Sequence, residues 1–247
     1  MSTARLGTYL WRFQLRDFLL RRAAVPAAAA IGMGWLLLAS DASTVDWATP
    51  RGAEWSRGFF ATYATLFMHA AAFLGVARLV ADDCSNGYYR FLFSKPLSVA
   101  RFYAQQWVLH GVGLVAIAGV IVAWYGYVTA PAPTPLAGAV MMMGLTWVLV
   151  GGVGFAFTAV TDYDAPVLIG CFVVSEVVQL MGAVRASPPW LRAAAPFALP
   201  LVDLTAVREA LFAGDAPPWS RAAHVAAYGV AGFIAGLIVL RRAAVAR

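Results

Sequence analysis

Six stretches of this chain are too long and too apolar to be ordinary surface helices, and they constrain everything else. Approximately Ala23 to Ser40, Gly58 to Val80, Tyr103 to Tyr127, Leu136 to Val160, Ala165 to Val184 and Ala222 to Leu240 are apolar runs with few charges. Each reaches the ~18 or more residues that a helix needs to cross a ~30 Å hydrocarbon layer at ~1.5 Å per residue. None shows the polar/apolar alternation of a membrane barrel strand. Of the 247 residues 62% are apolar and 12% charged, whereas soluble domains are roughly half apolar. The sequence therefore predicts an all-α membrane protein with six transmembrane helices, folded as one domain over residues 1–247.

The net charge of +6 raises the question of nucleic acid, but the positions of the basic residues give a better explanation. Arg5, Arg12, Arg16, Arg21 and Arg22 precede the first run. Arg90, Lys95 and Arg101 lie between the second and third, and Arg241, Arg242 and Arg247 follow the last. All fall on one side of a six-span topology, and Arg78 can snorkel to it. Arg51, Arg57, Arg185, Arg192, Arg208 and Arg221 fall on the other. The positive-inside rule then places both termini in the cytoplasm, with no nucleic-acid partner. The long aromatic basic region before the first run is unlike the short one of a signal peptide.

The connecting segments carry their own signals. In residues 1–22, Arg5, Arg12 and Arg16 share one narrow sector of a helical wheel. Leu6, Tyr9, Leu10, Phe13 and Leu20 fill the adjoining one, which predicts an amphipathic helix in the membrane surface. In the segment 185–221, "VDLTAVREALFAG" offers Asp203 as N-cap, Leu204, Val207 and Leu211 at helical spacing and Gly214 as the stop. A short helix on, or dipping into, the outer leaflet is expected there. "APAPTP", residues 130–135, reads as a tight outer turn. Gly111, Gly113, Gly151, Gly152, Gly154, and the Gly232/Gly236 pair mark close helix approaches, and packing within the chain is favoured over a dimer seam.

Residues that carry chemistry are few. The only lysine, Lys95, has no glycine loop before it, so the phosphate-cradling pattern of a nucleotide hydrolase is missing, as are HExxH, GxSxG and paired carboxylates. No enzyme activity, cofactor or metal site is expected in the chain itself. Cys84 and Cys171 form no CxxC. His69, His110 and His224 do not match in depth as haem ligands must, which favours polar packing roles. Glu176, with Ser175 and Gln179, lies near the middle of the fifth run. An ionisable group there costs ~2.5 kcal/mol or more unless it faces a partner or water. His69 is its partner candidate. Interhelical hydrogen bonding and the lining of a pathway by His69, Glu176 and Gln179 satisfy the same energetics, and both stand.

The stretch "DDCSNGYYRFLFSKPLSVARFY", residues 82–103, is too charged for lipid and too aromatic for an ordinary loop. Asp82, Asp83 and Asn86 precede a short run from Gly87 to Lys95. Pro96, whose ring rejects a helical conformation in the residue before it, ends that run. Tyr88, Phe91 and Leu92 share a face that Tyr89 and Phe93 widen, so a short amphipathic helix hangs beneath the membrane between the second and third spans. An interfacial aromatic anchor is the alternative reading, but it needs neither the glycine nor the proline stop.

In this stretch the chain resembles the integral-membrane permeases of type-2 ABC transporters. The residues carrying the resemblance are Asp82-Asp83, Gly87, "YYRFLF", Ser94-Lys95-Pro96, Leu97-Ser98 and Arg101-Phe102-Tyr103. Pro200, Val202, Asp203, Arg208, Glu209 and Gly214 extend it to the segment before the last span. Gln105 and Gln106 replace a lysine common in the family. The resemblance implies a permease half of an exporter in the bacterial cytoplasmic membrane, paired with a second half, identical or homologous. It implies a cytoplasmic ATPase subunit carrying ATP and magnesium. Contact with that subunit would be made by Asp82, Asp83, Gly87, Tyr88, Tyr89, Arg90, Phe91, Leu92, Phe93, Lys95 and Pro96, within the segment 82–102. The rival is a non-transporting anchor or assembly subunit of a larger membrane complex.

Overall fold

Among the described residues, three of the apolar runs form helices long and apolar enough to cross a membrane, over Val99–Ile121, Ala137–Thr158 and Trp219–Arg242. They correspond to the third, fourth and sixth runs and mark the chain as a membrane protein. The structure is a computed structural model that describes residues 11–24, 26–28, 31, 32, 49, 65, 67–80, 82, 83, 98–128, 136–161, 163–182, 188–194 and 198–246. Among these residues there is helix and turn but no strand. The first run beyond residue 32, the 130–135 turn and the coupling residues Gly87, Tyr88, Tyr89, Arg90, Phe91, Leu92, Phe93, Lys95 and Pro96 lie outside the described residues.

In chain order, α1 covers residues 11–22, of which Phe18–Arg22 form a π-helical turn. Helix α2 is described over Phe67–Val76, after which the backbone turns at residues 77–80. Helix α3 is Val99–Val128. Helices α4 (Leu136–Thr146) and α5 (Gly152–Thr158) form one rod joined by a π-helical turn at Trp147–Gly151. Helix α6 is Asp164–Gly182, α7 Pro189–Ala194, α8 Leu201–Ala213 and α9 Trp219–Ala246.

The tightest contact joins the π turn and α5 to α9. A Cβ on Gly152 would collide with the Gly229 carbonyl, and one on Gly229 with the Val148 carbonyl. Further along, a Cβ on Gly232 would lie 3.1 Å from the Val153 Cα, and one on Gly236 3.1 Å from the Ala156 Cα. Because both sets of numbers rise together, α5 and α9 run parallel. Between lipid-like surfaces, where hydrophobic burial gives no net drive, such backbone approach supplies the dispersion contacts that hold helices together. The GxxxG pair in the last run is thus used inside the chain. Gly111 faces Trp147, Gly113 faces Phe18 and Gly154 faces Val76 in the same way.

An aromatic chain runs through the bundle. Tyr103 meets Phe155 at 5.9 Å, Phe155 meets Phe233 at 4.8 Å, Phe233 stacks on Trp107 at 4.6 Å, and Trp107 meets Trp147 at 5.8 Å. Exposed apolar side chains line the outside, among them Val112 and Val120 on α3, Val173 and Val174 on α6, and Ile234 and Ile238 on α9.

Helix α1 turns Gln14 and Phe18, both buried, to the bundle and leaves Phe13 and Leu20 exposed, free for a lipid surface. One expectation needs correction. Asp203 is not an N-cap: Pro200 occupies that position, and Asp203, inside the first turn, accepts from His224 of α9 at 2.8 Å and pairs with Arg221 at 3.7 Å. Leu204, Val207 and Leu211 are buried as expected, and Gly214 ends α8 with φ 83°. Helix α8 is docked among α4, α6 and α9.

Candidate functional site

Where the backbone leaves α2 it turns sharply, and side chains from three other segments satisfy what the turn leaves open. Arg78 sits in the left-handed region at φ 57°, a conformation that costs a non-glycine residue ~1–2 kcal/mol. Its N–H donates to Asp164 Oδ2 at the start of α6, and the Val80 N–H donates to Thr158 Oγ1 at the end of α5, at 3.2 Å. The carbonyls at the C-terminal end of α2 accept from Arg22 at the end of α1: Nη1 donates to the Leu74 oxygen at 3.3 Å and to the Ala77 oxygen. A cation at a helix C-terminus also meets the negative end of the helix dipole. Every partner here supplies what a broken helix end needs, since buried backbone groups cannot be left unpaired.

Asp82 and Asp83 follow directly. Asp82 accepts from Arg22 at 3.3 Å and from Arg78 at 3.0 Å, and Asp83 accepts from the Tyr103 hydroxyl at 3.1 Å. Gln14 Nε2 donates to the Phe102 oxygen at 3.1 Å. The two ends of the 82–103 stretch are therefore fastened to one another and to α1. Of the residues expected to touch an ATPase, Asp82 and Asp83 are in this cluster and the others lie outside the described residues. Arg22, Tyr103, Thr158 and Asp164 were not anticipated as members. Asp164 alone carried a signal, as an acid opening a helix, where it also accepts from the Ala165 N–H at 2.8 Å.

Burial pushes the Asp83 carboxyl up to about 6; Asp17 and Asp82 add to the rise, and the Tyr103 hydroxyl and Arg22 oppose it. Between the usual 3.8 and about 6 the folded chain holds a proton that the unfolded chain has lost. The stabilisation is complete below the lower value and disappears as pH rises through the upper one. Asp83→Asn stays neutral, so its advantage in thermal midpoint over the native chain should grow across that window and level off above it. Equal midpoints at both pH extremes would contradict the assignment.

The second group lies elsewhere. His69 and Glu176 line one cavity of about 520 Å³ together with Thr65, Met142, Phe172, Thr205 and Arg208. This is the pair matched by depth in the sequence. The His69 Nδ1–H donates to the Thr65 oxygen at 2.8 Å, and its ring meets Phe172 edge-on. Gln179 does not join them. It donates to the Leu199 oxygen and accepts from the Val202 N–H at 2.9 Å, while Ser175 Oγ accepts from the Leu199 N–H at 3.1 Å. Both side chains clamp the bend around Pro200, whose missing N–H leaves that backbone short of partners. Arg208 was read as an outer-side basic residue and as part of the family resemblance, not as a lining residue. The other histidines have separate partners: His110 Nδ1 the Gly75 oxygen at 3.0 Å, and His224 the Asp203 carboxylate.

No protein-family model matches the chain, and no curated protein matches it.

Proposed function

We propose that the chain is the membrane half of an ATP-driven exporter of the type-2 ABC class, with six spans, both termini cytoplasmic, and an ATPase bound beneath it. The observation that carries this reading is the closure of the 82–103 stretch at its base by Asp83 and Tyr103, with Asp82 held by Arg22 and Arg78. A lever transmits force only if its root is stiff. This root joins α1, α2, α3, α5 and α6, and Tyr103 continues into the aromatic chain to α9. The left-handed residue Arg78 sits at the joint, where a strained backbone is a usual mark of function.

The six-span topology is supported by the parallel course of α5 and α9. For two helices to run parallel, the chain between them must return across the bundle. Helix α6 does so, with Asp164 bonded to Arg78 at one end and Gln179 bonded to Val202 at the other. Its 19 residues extend ~28 Å at ~1.5 Å each. An ATPase is required because the chain has no phosphate loop; ATP and magnesium would be held there.

Gly87→Pro, or deletion of residues 88–93, should abolish ATPase capture while leaving the chain inserted in the membrane. The check is co-purification of the ATPase from membranes at equal permease levels. Undiminished capture by both variants would overturn the coupling assignment and favour an anchoring role.

A further inference from the structure

The cavity between α2, α6 and α8 has a separated polar lining, and its chemistry identifies a class of ligand. On one side stand acceptors: the Glu176 carboxylate and His69, whose Nδ1–H is committed to the Thr65 oxygen, leaving Nε2 as the acceptor of the neutral ring. On the other stand donors from α8, Thr205 and Arg208, three residues apart and so on one helix face. The two charges do not neutralise one another. Among the described residues Glu176 makes no hydrogen bond or ion pair, and Arg208 has only its exposed neighbour Glu209 at 3.8 Å. Met142, Phe172, Val173, Leu201 and Leu204 supply an apolar lining.

Among the described residues the exposed Glu176 carboxylate has no partner and the Arg208 guanidinium only the 3.8 Å contact with Glu209, and within a bilayer each carries a cost that a complementary charge would relieve. A ligand with one charge would leave the other exposed to the same cost. The volume of about 520 Å³ lies within the ~300–1,000 Å³ usual for small-molecule sites. Val173 and Glu176, which line the cavity, are both exposed, so the cavity is open where α6 borders it.

From this arrangement we infer that the cavity binds a zwitterionic amphiphile: its ammonium on Glu176 and His69, its oxyanion on Arg208 and Thr205, its apolar part against Phe172, Leu201 and Leu204. This deepens the transport reading by naming a substrate class, and it rests on that reading for its meaning. Its test does not, because binding is measured on the purified permease with no ATPase present. Loss of ATPase capture and loss of ligand are thus separate results.

Two sources share the chemistry, a phospholipid headgroup and a free amino-acid-like amphiphile. In the first arm, protein in micelles containing equal phosphatidylethanolamine and phosphatidylglycerol is examined by native mass spectrometry. In the second, leucyl-phenylalanine with free termini is titrated calorimetrically. The inference expects at least one zwitterion to bind saturably, and the lipid, if it is the ligand, to be retained about tenfold over phosphatidylglycerol. Glu176→Gln and Arg208→Gln should each lower that binding about tenfold, and Asp215→Asn, on an exposed residue just beyond α8 and outside the cavity lining, should leave it unchanged; elution of all variants with the native chain confirms the fold. Enrichment of phosphatidylethanolamine identifies a lipid headgroup, and binding of the dipeptide alone a free solute. No binding in either arm, or equal binding by Glu176→Gln, Arg208→Gln and the native chain, overturns the inference.

Discussion

Gly152→Ala and Gly229→Ala are each expected to prevent the bundle from closing, although each adds a single methyl group. At both positions the new carbon would fall on the backbone of the facing helix, on the Gly229 carbonyl in one case and the Val148 carbonyl in the other. Side chains can rotate away from a collision; two helix backbones can only separate, and the contacts from Gly232 to Val153 and Gly236 to Ala156 would part with them. The loss should reach or exceed the ~3 kcal/mol upper end usual for overpacked interiors. Gly170→Ala provides the contrast, since nothing lies within 4 Å of its added Cβ, and replacing a helical glycine there should be neutral or stabilising by ~0.5–1 kcal/mol. Gly111→Ala belongs between them because it meets the Trp147 side chain rather than a backbone. Thermal unfolding in detergent, read by monodispersity on size exclusion, orders the four variants; equal midpoints would refute the parallel α5–α9 packing.

The second large effect is at Arg22. Replacement by alanine removes the donor to the Leu74 and Ala77 carbonyls and one partner of Asp82. Hydrogen bonds to charged groups contribute ~1.5–3 kcal/mol, and the other side-chain donor to the last turn of α2, His110, serves the Gly75 oxygen instead. Arg22→Lys should restore only part of the loss, because one ammonium cannot replace a planar fork that reaches two carbonyls and a carboxylate. Unfolding midpoints and hydrogen exchange at residues 74–80 measure it. If the alanine variant exchanged no faster than the native chain, the capping role would be wrong.

How far the sequence anticipated this molecule depended on whether a signal was local. Gly214 was legible as a stop because only a left-handed residue ends α8 that way, and Leu204, Val207 and Leu211 because helical spacing alone brings them to one face. The small residues of the last run were legible as a contact, since lipid offers no other reason for close approach. Asp203 was misread because its partners, His224 and Arg221, belong to another helix. The inward turn of Gln14 and Phe18 had no local signal, because their partners, the Phe102 oxygen and Gly113, belong to α3. For the site, His69 and Glu176 were matched by depth, but Arg208 joins them only because α8 docks into the bundle, and Gln179 leaves them because Pro200 creates a local need for partners. Arg22 carries no motif, Tyr103 only closes the family-like stretch, and their roles here arise from where α2 ends.

Isolation of the intact assembly from its native membrane, with subunits identified by mass and ATP turnover measured, tests the central claim most directly. The account predicts a second permease half and a nucleotide-hydrolysing subunit that is lost when residues 88–93 are deleted. An assembly that holds no such subunit, or retains it after the deletion, would contradict the account.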